Sequence, residues 1–481
     1  MSIATGKNLT RNFTVMFMGN VLGQLFFFFA LARLARVLGL AEFGAWNFAQ
    51  VCMLYLFRAS EFGLETVAIR ETSKEPASTG MWIATVISLR FVLGTICFGV
   101  LVIVAAADLL PIGTSTLTLI SSLTVFSMAF MLEWIFEAQQ KAGLISVART
   151  LKGVLFFLGV IMLVSASGDA EVAMYLYVGS LTIPVVIVAA IVFKLFGFEW
   201  SSLSMSRLMA TLKKAGPIGI ASMLSQYSMF ASTMVVAYLL TNTELGYFTA
   251  AHRIVIFLWA YVILNLNRTL LPQLSTSFHQ SHSEYRRFVL KTFRLAALVV
   301  VPIGLAGTLS SKEIITFLYS DRYEASGIVF GILLWGFVFA TIRSILEIAL
   351  VASDGQRQYL RGMVFLSILY TVLAPTLTLQ FGIVGAACAV LVSEFSYFTF
   401  LILSCPFTKP EFLLKSSWKP LLAGIVALVS LIPFPELHFV FRVLISMVVF
   451  VGFVTGFKGV TVNDFELLRS TFRRDSIRPT I

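Results

Sequence analysis

Three charged side chains lie inside one long apolar stretch of this sequence, residues 43–70, before the arginine that ends it. Arg58, Glu61 and Glu65 interrupt a run that is otherwise rich in Phe, Leu, Val, Met and Ala. Together with Asn47 and Gln50 they follow helical spacing, so one stripe of a helix would carry all five. A charge that faced lipid at mid-bilayer would cost about 3 kcal/mol or more. The pattern therefore predicts a membrane helix that faces an internal chamber, with Arg58 as a candidate ligand for an anion.

A second polar stripe lies near residue 250 and is expected to form another wall of that chamber. Its members, spaced three or four residues apart, are Thr249, Arg253, Phe257, Tyr261, Asn265 and Arg268. Arginine suits phosphate because its planar fork donates two hydrogen bonds and keeps its charge. Amides on two neighbouring apolar stretches would complete the chamber, and with aromatics such as Tyr261 they suit sugar faces. These amides are Asn20, Gln24 and Gln226. For Arg268, the alternative is a side chain that extends to the membrane surface.

Two more arginines, Arg90 and Arg343, lie within apolar stretches and are further candidate substrate ligands. Glu347 follows Arg343 by one helical turn, which is also the spacing of an internal ion pair. Arg58 and Glu61 have the same alternative, because buried ions commonly pair.

Four glutamates are candidate groups for coupling transport to an ion: Glu61, Glu133, Glu137 and Glu347. Glu133 and Glu137 lie one turn apart with the same sign. Either one of them holds a proton, or both pair with a cation such as Arg90 or Lys152.

The composition defines the elements that must position these residues. Of the 481 residues, 58% are hydrophobic and 12% are charged, and the mean hydropathy is +0.91. These values exclude an ordinary soluble protein and predict an all-α polytopic membrane protein. Windows of about 20 apolar residues are long enough to cross a bilayer. We count about fourteen such predicted spans: 12–35, 43–68, 80–106, 115–138, 147–166, 172–195, 214–239, 245–272, 288–309, 325–351, 360–379, 383–404, 416–434 and 438–458.

Lysine and arginine are distributed unevenly among the loops. With the N-terminus in the cytoplasm, most of the 35 basic residues fall in cytoplasmic loops or in the C-terminal tail. By the positive-inside rule, both termini are predicted to be cytoplasmic. The net charge of +11 is explained by this topology, so nucleic acid is not expected as a partner.

Residues 35–50 resemble residues 237–252 at an offset of 202. Leu38 matches Leu240, Glu42 matches Glu244 and Gly44 matches Gly246. Six predicted spans separate the copies, so both copies have the same orientation, as in a parallel repeat. We therefore predict two six-helix lobes, 1–205 and 206–405, followed by two further helices in 406–460 and a basic cytoplasmic tail, 461–481.

The sequence contains no nucleophile elbow, phosphate-binding loop or metal cluster, so we predict neither an enzyme nor a cofactor or metal site. The four cysteines lie in or at the end of apolar spans without metal or redox spacing. His279 and His282 form an H-x-x-H pair, which by itself is weak evidence for a metal site.

Short motifs along most of the chain resemble the polysaccharide repeat-unit (O-antigen) flippases of the multidrug/oligosaccharidyl-lipid/polysaccharide exporter superfamily. They are RVLG at 36–39, EFG at 42–44, EFGL at 61–64, AIR at 68–70, PQLS at 272–275, KEI at 312–314, LY at 318–319, Tyr323 and FGIVGAA at 381–387. The resemblance implies a lipopolysaccharide-biosynthesis transporter in the bacterial inner membrane that moves undecaprenyl-diphosphate-linked oligosaccharide to the outer leaflet by alternating access. It implies the lipid-linked oligosaccharide, membrane lipids and a polysaccharide polymerase as partners.

Two other functions are open at this stage. A multidrug and toxin extrusion antiporter would share the architecture, but its cationic substrates favour a chamber carboxylate, and span 1 has none. A membrane glycosyltransferase or polysaccharide ligase would need catalytic residues in outer loops, and the predicted outer loops are short.

Overall fold

The computed structural model describes residues 6–139, 142–199, 203–353, 355–404 and 439–456, and a few single positions between 422 and 437. In these ranges the regular elements are α-helices and short 3₁₀ turns, without a β-strand. The chain divides into two compact units, Met1–Gly246 and Tyr247–Ile481.

The described residues of the first unit before 240 form nine α-helices. They are α1 (Gly6–Glu61), α2 (Leu64–Lys74), α3 (Thr79–Ala106), α4 (Ser115–Ser122), α5 (Thr124–Met128), α6 (Glu133–Ala138), α7 (Ala142–Leu163), α8 (Ala170–Phe196) and α9 (Met205–Leu239). A tenth helix, α10 (Asn242–Gln280), begins in the first unit and continues in the second. The other described helices of the second unit are α11 (His282–Leu309), α12 (Ser311–Leu318), α13 (Ser326–Ala352), α14 (Gln356–Ser404) and α15 (Phe439–Gly456).

Eight helices in the described ranges are long and apolar enough to cross a membrane. The prediction of an all-α multi-pass membrane protein is confirmed. Two of these helices each contain two predicted spans and a non-helical glycine between them. Gly39 (φ 77°) separates spans 1 and 2 within α1, and Gly382 (φ 58°) separates spans 11 and 12 within α14. Positive φ is accessible to glycine at little cost, so each glycine ends one predicted span and starts the next.

Span 2 is shorter than the sequence predicts, because the helix breaks before residue 68. Phe62 and Gly63 have φ angles of 41° and 78°, and the chain restarts as α2 at Leu64. At this break Gly63 approaches the backbone of Gly219 on α9 so closely that a Cβ on either glycine would contact main-chain atoms of the other helix below 3.0 Å. The tight crossing and the left-handed glycine explain the interruption.

Span 4 is also interrupted, and it forms three short helices, α4 to α6, rather than one. Its hydroxyl side chains bond to carbonyls three residues earlier, at distances of 2.6–2.9 Å. Such local bonds compete with regular helix hydrogen bonding and bend the helix. The donors are Ser121, Ser122, Thr124 and Ser127.

Spans 13 and 14 and the basic tail are described only in part. Span 14 corresponds to α15. Almost all of span 13 (416–434) and the whole tail (461–481) lie outside the described residues.

Four loops that the charge pattern places on one side of the membrane meet at one end of the first unit. The Glu42 carboxylate accepts the N–H of Gly168 at 2.9 Å, and the Asn242 amide donates to the Ile112 carbonyl at 2.8 Å. In the same loop as Gly168, Asp169 accepts N–H bonds from Ser165 and Ala166, which lower the pKa of its carboxyl.

Matched glycines of the proposed repeat pack reciprocally at this end. A Cβ on Gly44 would meet the carbonyl of Asn242, and one on Gly246 would meet the carbonyl of Leu40. Both pairs, Gly44 with Gly246 and Leu40 with Asn242, are separated by the offset of 202 found in the sequence. Reciprocal contact between equivalent residues is the pattern that a two-fold axis produces.

Candidate functional site

Arg58 lies in the last turn of α1, next to the break at Phe62 and Gly63. Its Nη1 is 3.9 Å from Oε2 of Glu61, and 40% of its side chain is exposed. Its guanidinium also lies 5.9 Å from the centre of the Phe57 ring. The ion pair suggested by the sequence is therefore present but loose, and Arg58 keeps accessible surface with which to bind an anion.

Glu61 has a structural role at the helix break. Its carboxylate accepts the N–H groups of Gly63 at 3.2 Å and Glu65 at 3.0 Å, and the residue is 4% exposed. It thereby satisfies N–H groups at the start of α2 that have no intrahelical partner. Its oxygens are thus engaged by the backbone and by Arg58, and the role in ion coupling that the sequence suggests for Glu61 stays a prediction.

Arg90 of α3 connects three segments of the first unit. Its Nη2 donates to Oε2 of Glu65 at 3.0 Å, and its Nη1 donates to the Met131 carbonyl at 2.7 Å. That carbonyl lies in the gap between α5 and α6, outside regular helix. Arg90 is 1% exposed, so it stabilises this region and has no free surface for a substrate.

Glu133 and Glu137 share Arg149 of α7, at 3.0 Å and 3.6 Å, instead of Arg90 or Lys152 as the sequence suggested. The Lys152 ammonium lies over the rings of Phe27 and Tyr177, at 5.6 Å and 5.7 Å. The side chain of Arg149 is 36% exposed, so it is a further cation of this region that could contact an anion.

The predicted amides differ in their surroundings. Gln24 is exposed, whereas Gln226 of α9 is 9% exposed, one residue before Tyr227, whose carbonyl accepts a bond from Tyr55 at 3.5 Å. The side chains of Asn20, Tyr261 and Arg268 lie outside the described part of the structure, so their predicted roles stay predictions.

Arg253 lies on α10 in the second unit and is partly buried. It interacts electrostatically with the buried Tyr319, whose hydroxyl donates to the Ala250 carbonyl at 3.1 Å. The local packing thus fixes α10 against the segment after α12 at the level of Arg253.

Arg343 of α13 is enclosed by two carboxylates. Its Nη1 donates to Glu347 at 2.6 Å, and its Nε donates to Glu394 of α14 at 2.5 Å. The ion pair with Glu347 that helical spacing suggested is present. Arg343 is 7% exposed, so, like Arg90, it is engaged by protein rather than available to a substrate.

Sequence reasoning missed Arg149 and Glu394 as members of these clusters. Arg149 was assigned to a basic cytoplasmic segment. Glu394 is the one carboxylate in span 12, and a charge inside an apolar span is itself a signal of a specific role.

In the described ranges, no group of three His, Cys, Asp or Glu side chains is placed to hold a metal ion. The rings of His279 and His282 pack against Phe278, at 5.7 Å and 5.1 Å between ring centres.

Comparison with known proteins identifies the family. Residues 9–278 match the family model described as polysaccharide biosynthesis protein, which covers more than half of the chain. The chain belongs to this family. This polysaccharide biosynthesis protein is 21% identical over 402 residues to the probable low-salt glycan biosynthesis flippase Agl15 of Haloferax volcanii, covering 80% of the chain and 81% of the relative.

Solved transporters share the fold of this polysaccharide biosynthesis protein. The lipid II flippase MurJ, in an inward closed conformation, superposes with a TM-score of 0.75 at 15% identity, over 95% of this chain and 99% of MurJ. An inward-facing multidrug resistance MATE family transporter superposes with a TM-score of 0.61 at 15% identity, over 79% of this chain and 94% of the transporter.

Proposed function

We propose that the protein is a flippase that moves an undecaprenyl-diphosphate-linked oligosaccharide, such as an O-antigen repeat unit, from the inner to the outer leaflet of the bacterial plasma membrane. The observation that carries the proposal is membership of the polysaccharide biosynthesis family, together with the flippase relative that spans most of the chain. In this proposal the protein carries out no covalent chemistry and works by alternating access.

Arg58 and Arg253 are the proposed ligands of the diphosphate. Arg58 supports this role because it is loosely paired and 40% exposed. Arg90 is buried and held by Glu65 and the Met131 carbonyl, and Arg343 is enclosed by two carboxylates. An arginine that already satisfies two carboxylates would have to break buried ion pairs to bind a phosphate. On the basis of the sequence pattern, we also propose that Arg268 and Tyr261 contact the lipid-linked oligosaccharide.

The membrane potential would assist transport in the proposed direction. A negative headgroup that moves outward travels down the potential, and each charge gains about 2.3 kcal/mol per 100 mV. The proposed topology, with both termini cytoplasmic and lobes at 1–205 and 206–405, would allow this movement. A polysaccharide polymerase is the proposed consumer of the product.

The test is replacement of the two arginines in a host that depends on this gene for surface glycan. Arg58→Ala and Arg253→Ala are each expected to lower surface glycan by about tenfold or more, because each loses a charge-assisted hydrogen bond. Lipid-linked oligosaccharide should accumulate on the inner leaflet while the amount of folded protein stays unchanged.

Arg70→Ala is the matched control, because Arg70 lies near the same helix break and its side chain is 70% exposed in a pair with Glu71. It should leave surface glycan unchanged. Normal surface glycan in both the Arg58 and Arg253 variants would refute their assignment to the substrate.

A multidrug antiporter is the second candidate function, and the shared fold with the MATE transporter favours it. It predicts that expression in a drug-sensitive host raises resistance to cationic drugs. Resistance without any effect on surface glycan would support the antiporter over the flippase.

A further inference from the structure

The second unit contains a buried charge cluster in which one guanidinium serves two carboxylates. Arg343 and Glu347 belong to α13, and Glu394 belongs to α14. Arg343 and Glu394 are each 7% exposed. With both carboxylates ionised, the cluster would carry one uncompensated negative charge inside an apolar bundle.

The hydrogen bonds distinguish the two carboxylates. The Glu394 carboxylate accepts three hydrogen bonds. Arg343 donates two of them, from Nε at 2.5 Å and from Nη2 at 3.4 Å, and the Tyr370 hydroxyl donates the third at 3.1 Å. Three donors directed at one carboxylate stabilise its ionised form. Glu394 is therefore the anion that balances Arg343.

Glu347 has a different environment. It accepts a hydrogen bond from Nη1 of Arg343 at 2.6 Å. The Tyr397 ring lies 4.7 Å from the guanidinium of Arg343, and its buried hydroxyl is the other side-chain group that bonds to Glu347. A phenol hydroxyl can both donate and accept, so Tyr397 can pair with either form of Glu347. Glu347 thus has at most two donors, whereas Glu394 has three.

Among the described residues, Arg343 is the one cation that contacts either carboxylate. On α14, Tyr359, Tyr397 and Glu394 also act on Glu347. The arginines of the same helix near Tyr359, Arg357 and Arg361, are exposed. The neighbouring α11 directs the Tyr285 hydroxyl at the Ala349 carbonyl, and its charged groups contact neither glutamate. These charged groups are Glu284, Arg286, Arg287, Lys291 and Arg294. On α12, Lys312 pairs with Glu324 beside Gly327, at the other end of α13.

We infer that Glu347 binds a proton while Glu394 stays ionised against Arg343, and that this proton is exchanged during transport. The cost of a buried unpaired charge favours the protonated form. The side chain of Glu347 is 16% exposed, more than that of Glu394, so it is the more accessible of the two to a proton. The transport part of the inference rests on the proposed flippase function, whereas proton binding does not.

Proton binding can be measured without any substrate, from the pH dependence of unfolding of the full-length protein in mixed detergent. Above about pH 5 an exposed glutamate has lost its proton, so unfolding of the wild type releases the proton held by Glu347. The unfolding equilibrium constant of the wild type should therefore rise with pH more steeply than that of Glu347→Gln. The ratio of the two constants should grow by up to tenfold per pH unit. Glu394→Gln should flatten the profile in the same way, because Glu347 then becomes the single counter-ion of Arg343.

Glu75→Gln, at an exposed position after α2, is the matched control and should keep the wild-type profile. Identical profiles in the wild type and both cluster variants would overturn the inference. A stability that depended on sodium concentration but not on pH would overturn it too, in favour of a sodium ion.

Flipping in proteoliposomes separates this inference from the proposed function. A pH gradient should change the flipping rate of the wild type several-fold and have no effect on Glu347→Gln. If the wild type flips the lipid-linked oligosaccharide but ignores the gradient, coupling is refuted and the flippase stands. If it flips nothing while the pH dependence of unfolding is as expected, the proton site stands and the proposed function fails.

Discussion

The arginines of this protein differ in how much of their charge the protein already uses. Arg90 has the partly buried Glu65 carboxylate and the Met131 carbonyl as partners, and Arg343 has two carboxylates. Arg58 has one distant carboxylate and an exposed guanidinium. Arginines that look alike in the sequence therefore have different roles. Arg90 and Arg343 hold helices together, and Arg58 is a proposed ligand of an anion.

Arg90→Met should destabilise the protein by about 3 kcal/mol, because it leaves Glu65 and the Met131 carbonyl without their buried donor. Adding Glu65→Leu should restore much of the stability, since the unpaired charge is then removed. Unfolding by detergent titration measures both changes. Arg70→Ala, at an exposed position, should change stability by no more than about 0.5 kcal/mol. An Arg90→Met variant as stable as Arg70→Ala would contradict the structural role of Arg90.

At the level of elements, α9 and the start of α10 approach α1 and the break that follows it through glycines rather than through large side chains. Gly63 meets Gly219 at one end, and Gly44 approaches the start of α10, just after α9, at the other. Small residues let helix backbones approach closely in a membrane, where packing and hydrogen bonds replace the hydrophobic effect.

Gly219→Ala should lower stability by about 1–3 kcal/mol, because its Cβ would lie 2.6 Å from the Phe62 carbonyl oxygen. Gly216→Ala is a matched control one turn away on α9, with open space around the new Cβ. It should be neutral or stabilising by up to about 1 kcal/mol, as alanine favours helix. Equal effects of the two substitutions on the thermal unfolding midpoint would rule out the close crossing.

Hydropathy alone predicts most of the long helices and the bends at Gly39 and Gly382, since a span must be apolar over its whole length. Two breaks also have partners distant in sequence, which local patterns do not contain. Gly219 packs against Gly63, and Arg90 binds the Met131 carbonyl between α5 and α6. In the candidate site too, contacts within one helix can be predicted from the sequence and contacts between helices cannot. The Arg343–Glu347 pair follows from helical spacing, whereas its partner Glu394 comes from another helix and was missed.

For the whole molecule, the structure and the charge pattern lead to one prediction of topology. The loops around Glu42, Ile112, Gly168 and Asn242 meet at one end of the first unit, and the positive-inside rule assigns all of them to the outer side.

Cysteine labelling should establish this topology in intact cells. In a background without the native cysteines Cys52, Cys97, Cys388 and Cys405, Thr243→Cys should react with a membrane-impermeant maleimide. Ala77→Cys, between α2 and α3, should react only after the membrane is permeabilised. Both positions are exposed, so access alone distinguishes them. The reverse pattern would invert the proposed topology.

The reciprocal packing of Gly44 and Gly246 also bears on how this chain arose. In a symmetric homodimer, when residue i of the first subunit contacts residue j of the second, residue j of the first also contacts residue i of the second. Leu40 with Gly246 and Gly44 with Asn242 obey that relation within a single polypeptide. Such a contact is what gene duplication and fusion would leave behind if the ancestor was half as long and paired with a second copy of itself through this glycine.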